Sequence, residues 1–228
     1  MELYQEKLSE INAIPILQLA HSLSPFVVGA EGNVSQRNKN GFLVKASGFC
    51  MSDLNDLGLI ECGLSGKPLK ECSRRPSIES LFHAYLLSFP DIEFIAHTHP
   101  TNVLKILCSG YAKDFAAKRY FPDQVVYNGG ASCYVPYAHP GPKLLEAIKE
   151  SLEKHLEKNP FPKVFLLQNH GIITAAKTAK QCLIATGICE KSAEIFLGAL
   201  GTSIMSPFTN EQITEIENDA NEKYRAAL

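Results

Sequence analysis

The tetrapeptide Asn38-Lys39-Asn40-Gly41, followed at once by Phe42-Leu43-Val44, limits the fold more than any other feature of the chain. Asparagine and glycine tolerate the backbone of a tight hairpin, and a tight hairpin joins antiparallel neighbours. A purely parallel sheet is therefore excluded. Around this hairpin, helical and strand patterns alternate. Residues 3–22 read as a helix with Leu3, Leu8, Ile11, Ile14 and Leu17 on its apolar face, and a break or kink is expected at Pro15. Gly29-Ala30-Glu31-Gly32-Asn33-Val34-Ser35 is a small-residue loop feeding the hairpin's first strand, and Ala46-Ser47-Gly48 is a second bend. Pro76-Ser77 is expected to open a helix, with Ser77 as N-cap, a stripe of Leu81, Phe82, Tyr85 and Leu86, and Pro90 at its end. Further helices are expected over Thr101–Cys108, Leu144–Leu156 and 179–200, with a last one from about Asn210 after Ser206-Pro207. Strands are expected at 94–98 and Val164–Leu167, and short strands broken by Gly129-Gly130 at 125–137. The pattern predicts a mixed α/β domain.

A length of 228 residues is expected to hold one domain over 1–228, and hydrophobic and charged fractions of 45% and 20% are ordinary for a soluble globular protein. A formal net charge of -2 without a basic stripe argues against a nucleic-acid partner. The start, Met1-Glu2-Leu3-Tyr4-Gln5-Glu6-Lys7, lacks a basic region followed by an apolar one, and no apolar run approaches the ~18 residues of a membrane span. A cytoplasmic location is expected. Seven cysteines, an odd number without a Cys-x-x-Cys pair, support neither a disulfide framework nor a cysteine zinc knuckle. Most are expected to be small buried hydrophobes.

Chemistry enters in Phe94-Ile95-Ala96-His97-Thr98-His99-Pro100. The two-residue period of a strand puts His97 and His99 on one face, and Pro100 ends the strand so that both imidazoles stand at its mouth. His170 follows another apolar strand, and Gly171 lets the chain turn sharply beside it. Three imidazole nitrogens with an open fourth position are the donor set of a catalytic zinc. Glu79 is expected in the first turn of the Ser77 helix, where the helix dipole favours a carboxylate. His83, four residues on, shares its face and reads as structural or supporting. Gly32-Asn33, Ser47-Gly48 and Ser77 offer backbone amides and hydroxyls that bind an anion if their loops converge.

In this order, Glu31-Gly32-Asn33-Val34-Ser35-Gln36-Arg37, Ala46-Ser47-Gly48, Pro76-Ser77-Ile78-Glu79 with His83, His97-Thr98-His99-Pro100, Pro136-Tyr137-Ala138 and Gln168-Asn169-His170-Gly171 resemble the class II aldolase and adducin-head family. The resemblance runs from about residue 10 to 200. It implies a single-domain, three-layer α/β/α fold with a central, largely antiparallel sheet, and a homotetramer with active sites at subunit interfaces. It implies that His97, His99 and His170 hold Zn2+ or another divalent metal, and that Glu79 is the acid/base and a metal ligand when substrate is absent. Gly32, Asn33, Ser47, Gly48 and Ser77 correspond to the phosphate loops. The implied activity is cleavage of a ketose 1-phosphate, a sugar phosphate, to dihydroxyacetone phosphate and an aldehyde through a metal-stabilised enediolate.

One departure bears on substrate. Family sugar-phosphate aldolases carry two hydroxyl residues before the glutamate, whereas this chain has Ser77-Ile78, a form similar to aldolase domains fused to dehydrogenases. Ile78 offers an anion no hydrogen bond. A same-fold epimerase, dehydratase or decarboxylase is the alternative. A non-catalytic adducin-like module is disfavoured because such heads lack the full set of Glu79, His97, His99 and His170. Tyr224 is the phenol suggested for the aldehyde side.

Overall fold

The computed structural model describes residues 12–202 and 205–227, so residues 3–11 of the expected first helix lie outside the described residues. Seven strands, β1 (Asn33–Asn38), β2 (Gly41–Lys45), β3 (Leu59–Cys62), β4 (Phe94–Thr98), β5 (Cys133–Val135), β6 (Val164–Leu167) and β7 (Gly171–Ala176), are hydrogen-bonded in the order β3-β2-β1-β4-β7-β6-β5. The pairs β1–β2, β2–β3, β1–β4 and β6–β7 are antiparallel, and β5–β6 is parallel. Helices flank the sheet, and the fold is the mixed α/β class, with the antiparallel pairing that the hairpin requires and the largely antiparallel sheet that the resemblance implies. By contact density the chain divides into two compact units.

The first unit runs through Thr98 and includes Ala138–Glu146 and Ala175–Leu183. Its first described helix, α1 (Ile14–Leu23), starts with Pro15 in its first turn, where the missing N–H costs nothing. Ile16, Leu19, Ala20 and Leu23 bury the face that packs on Val34, Leu43 and Leu59, whereas Ile14 is exposed. Between β1 and β2, Lys39 and Asn40 form a two-residue loop, with Asn38 paired to Gly41. Gly41 serves packing more than the turn, because a Cβ there would lie 2.1 Å from the carbonyl oxygen of Cys62.

Two expectations in this unit need correction or refinement. The helix after Pro76 is α2 (Ser80–Leu86), so Ser77 is not its N-cap; Glu79 holds that position. Ser77 instead accepts the Glu79 backbone N–H through its Oγ, 3.3 Å away, which turns the chain before the helix begins. The helix closes on Leu87, ahead of Pro90.

The second unit comprises His99–Tyr137, Ala147–Thr174 and the chain from Ile184 on. Helices α3 (Thr101–Leu107) and α4 (Ala112–Ala117) pack with the later turns of the long helix Ala179–Leu200. Phe196 meets Tyr111, Phe115 and Tyr120 edge-on at ring separations of 5.9, 5.5 and 5.9 Å. Segment 125–137 differs from expectation: α5 (Pro122–Asn128) precedes Gly129, and only Cys133–Val135 is a strand. Pro122 is preorganised for a first helical turn, and Val125 and Val126 are buried from that helix, so their β-propensity is overridden. The helix expected from Asn210 is two, α8 (Asn210–Asn218), opened by a Thr209–Gln212 capping box, and α9 (Ala220–Ala227); α6 (Pro142–Leu156) and α7 (Ala179–Leu200) follow the predicted periodicity. Cys62, Cys133, Cys182 and Cys189 are buried, and burial pushes the thiols of Cys62, Cys133 and Cys189 up to about 12. Among the described residues, no helix is long and apolar enough to cross a membrane.

Arg119 organises the second unit from inside. Its guanidinium, with the residue 1% exposed, donates to the carbonyls of Gly129 (2.6 Å), Lys118 (2.8 Å) and Ala116 (3.2 Å) and to Ser132 Oγ (2.9 Å). Burial pulls its pKa down to about 10, so it stays charged at neutral pH. Arg119→Met removes four donations while leaving the acceptors buried. The expected outcome is a loss of roughly 3 kcal/mol in unfolding free energy, read from the urea midpoint.

Candidate metal centre and active site

Register places the first pair of functional side chains. Strand β1 pairs with β4 so that Asn33 stands opposite His97. Gly32, just before Asn33, has φ +65°, and a Cβ there would lie 2.6 Å from the His97 carbonyl oxygen and 2.8 Å from side-chain atoms of Met51 and Val27. Only glycine lets the loop pass this close to the histidine strand.

The buried Asn33 carboxamide donates through Nδ2 to Glu79 Oε2 at 2.8 Å and to Ser77 Oγ at 3.0 Å. Glu79 is itself buried, and its Oε2 lies 3.4 Å from His97 Nε2. The Ser47 loop joins the same segment, with Ser47 Oγ donating to the Pro76 carbonyl at 3.1 Å and its N–H to Arg75 at 3.0 Å. Asn33, Ser47 and Ser77 are therefore connected, and Gly48 has open space beside it. Ile78 points the other way from its neighbours, 64% exposed between buried Ser77 and Glu79.

His170 is delivered by a turn. Its backbone N–H donates to Leu167 at 3.1 Å, and Asn169 takes φ +55°, which asparagine adopts more readily than most residues. Gln168 Oε1 accepts from Tyr134 Oη at 2.7 Å and from the Tyr137 N–H at 3.3 Å, so the turn is held from the adjoining strand and loop. The His99 and His170 rings are 5.4 Å apart. The ligating nitrogens of His97, His99 and His170 all lie within 4.8 Å of one another, and this group can hold a metal ion. The donor chemistry fits a divalent cation with nitrogen preference, because three imidazole nitrogens leave coordination positions open. Glu79 stands outside this group, beside His97.

Several residues here were not singled out as site residues by the sequence. Lys45, 2% exposed on β2, donates through Nζ to the carbonyls of Phe49 (2.6 Å) and Ala30 (3.1 Å), tying together the loops before Asn33 and after Gly48. Burial lowers its pKa, opposed by Cys50 and Glu79. A lysine inside the otherwise apolar run Phe42–Ala46 was the available signal. Ser35 left none; it faces His83, whose pKa burial and then His97 push well below the usual value. His83 is fully buried, and its side-chain partners are Ser35 and Asn33, whereas its backbone N–H reaches the Glu79 carbonyl at 3.4 Å. Tyr137, 60% exposed, is tied to the His170 turn, whereas Tyr224 is exposed on α9.

Comparison with known proteins defines the class. The family described as Class II Aldolase and Adducin N-terminal domain matches residues 17–197, and the chain belongs to that family. It is 27% identical over 196 residues to a 3-oxo-tetronate 4-phosphate decarboxylase of Haemophilus influenzae, covering 85% of this chain and 89% of that protein. It is likewise 27% identical over 189 residues to an L-fuculose phosphate aldolase of Methanococcus maripaludis, covering 81% and 94%. A further relative, the uncharacterized oxidoreductase YuxG of Bacillus subtilis, is 31% identical over 123 residues; the match takes in 54% of this chain but only 16% of that protein. The solved structure of an L-fuculose 1-phosphate aldolase superposes with a TM-score of 0.74 at 21% identity, covering 92% of this chain and 94% of that one, and establishes the shared fold.

Two outcomes follow from the geometry. Gly32→Ala forces a side chain against the His97 carbonyl at positive φ and lowers stability by about 1 kcal/mol or more, measurable by urea unfolding. His170→Ala removes one of three clustered nitrogens, and Co2+ affinity, titrated through the ion's visible absorption, should fall by roughly tenfold or more.

Proposed function

We propose that the protein is a zinc-dependent class II aldolase that cleaves a ketose 1-phosphate to dihydroxyacetone phosphate and an aldehyde. In this reading residues 1–228 form one catalytic domain, and the enzyme is a cytoplasmic homotetramer with active sites at subunit interfaces. The observation that carries the reading is Glu79, a buried carboxylate 3.4 Å from His97 and held by the Asn33 amide at 2.8 Å. His97, His99 and His170 would hold the cation, with Glu79 as a further ligand when substrate is absent. Bound there, a divalent metal supplies Lewis-acid stabilisation of negative charge on the substrate's carbonyl oxygen.

The chain's own groups do the rest. Glu79 returns a proton to the substrate carbon in cleavage and removes it in synthesis. Asn33 holds that carboxylate, and Ser77 Oγ accepts from both the Asn33 amide and the Glu79 backbone N–H. Gly32, Asn33, Ser47, Gly48 and Ser77 receive the phosphate through amide N–H groups and hydroxyls, and the hydrogen bonds from Asn33 to Ser77 and from Ser47 to the Pro76 carbonyl support this assignment. Lys45 holds the two loops at their bases.

A second reading, decarboxylation of a 3-oxo sugar-acid phosphate, is favoured by the decarboxylase relative that the match covers to 89%. Ile78 in place of a hydroxyl residue suits a donor gripped differently from those of sugar-phosphate aldolases. Both readings use a metal and a developing carbanion, so products must separate them.

The test is exchange of the hydroxymethyl hydrogen of dihydroxyacetone phosphate with deuterated water, followed by NMR, run beside CO2 release from 3-oxo-tetronate 4-phosphate. Metal-dependent exchange that Glu79→Gln lowers by roughly a hundredfold or more is expected. CO2 release without exchange would replace the aldolase reading with the decarboxylase one.

A further inference from the structure

Behind Glu79 lies a row of buried polar groups whose far end, Ser35 and His83, the proposed chemistry does not use. Ser35 Oγ and His83 Nδ1 are 2.6 Å apart. His83 Nε2 meets Asn33 Oδ1, and Asn33 Nδ2 meets both Glu79 Oε2 and Ser77 Oγ. Ser35 and His83 are both 0% exposed, so water cannot substitute for either partner. The polarity of the row follows from its ends. A carboxylate only accepts, so the Asn33 amide must turn its NH2 toward Glu79 and its carbonyl toward His83. That carbonyl also only accepts, so His83 must carry a proton on Nε2, and this holds whatever the state of Nδ1.

On the reading of Glu79 as the acid/base, we infer that His83 is a positioning residue for Glu79, acting through the Asn33 carboxamide. An asparagine amide has two faces of opposite polarity and nearly equal shape. Turned over, it would present its oxygen to Glu79 and repel the carboxylate. The Nε2–H of His83 is the group that selects the productive orientation, and Ser35 holds the ring that carries it. The backbone contributes as well, since the His83 N–H donates to the Glu79 carbonyl, and Asn33 stands opposite His97 in the sheet. The side-chain hydrogen bonds of His83 go to Ser35 and Asn33, so the link from its ring to Glu79 runs through the Asn33 amide.

The discriminating pair is His83→Gln and His83→Leu, with Ser35→Ala as a milder variant that removes no ring. A glutamine amide can place an N–H near the position of Nε2–H, whereas leucine fills the space without a donor. Crystal structures read the contact directly: Asn33 Nδ2 to Glu79 Oε2 is expected to persist in His83→Gln and to be lost in His83→Leu. Deuterium exchange into dihydroxyacetone phosphate should fall about tenfold or more in kcat for His83→Leu and severalfold for Ser35→Ala. In His83→Gln it should return to within about threefold of the parent. Co2+ affinity should fall by less than the roughly tenfold expected of His170→Ala, because the three imidazoles are untouched, and this separates the role from that of a histidine ligand. If the Asn33–Glu79 contact survives in His83→Leu, or if His83→Gln is as impaired as His83→Leu, the inference is overturned. Should His83→Leu not fold, Ser35→Ala and His83→Gln still decide, because parental exchange in Ser35→Ala together with an impaired His83→Gln would overturn it. Contacts that respond as expected, in proteins none of which exchanges or decarboxylates either substrate, would uphold the positioning and reject the proposed function.

Discussion

The pairing of β1 with β4 is the constraint on which the rest of the site depends. It sets Asn33 opposite His97, and strand register admits no half measures: a slip of one residue would turn the Asn33 side chain to the other face. The same pairing requires Gly32, because the loop entering β1 crosses within contact of the His97 carbonyl. From this one alignment the Asn33 amide reaches Glu79 and Ser77, and Glu79 comes to lie beside His97. A carboxylate, a carboxamide and an imidazole from three separate stretches of chain are brought together by one strand pairing and the side-chain hydrogen bonds of Asn33.

Burial of so many polar groups is costly unless each finds a partner. The first unit meets this demand by chaining them, so that Ser35, His83, Asn33, Ser77 and Glu79 satisfy one another without water. Lys45 follows the same rule with carbonyl acceptors, and in the second unit Arg119 does so with three carbonyls and a hydroxyl. The consequences differ. Arg119 holds an interior turn together and its loss is felt in stability. The Asn33 chain ends on a carboxylate beside His97, and on the proposed function its order is felt in chemistry.

How much was legible in the chain depends on whether the signal was local. The hairpin at Asn38–Gly41, the strand ending at Thr98 and the long helix Ala179–Leu200 rest on short-range patterns, and they stand as expected. The strands expected over 125–137 do not, because Val125 and Val126 favour strands intrinsically while Pro122 starts a helix that buries them. Ser77 failed as an N-cap for a related reason: its hydroxyl serves a tertiary contact with Asn33 and a local turn at Glu79. His97, His99 and His170 were readable as a group, since two share a strand end and the third precedes a glycine.

By itself the sequence determined the fold class, the family and the three imidazoles, because periodicity, turn chemistry and motif order are written in neighbouring residues. Only the tertiary structure decided which side chains face which. It turned Ile78 outward between two buried residues, placed Ser35 against His83, and made Lys45 a tie between two loops. Such contacts span tens of residues along the chain and depend on strand register and on the direction of each side chain. No local pattern encodes them.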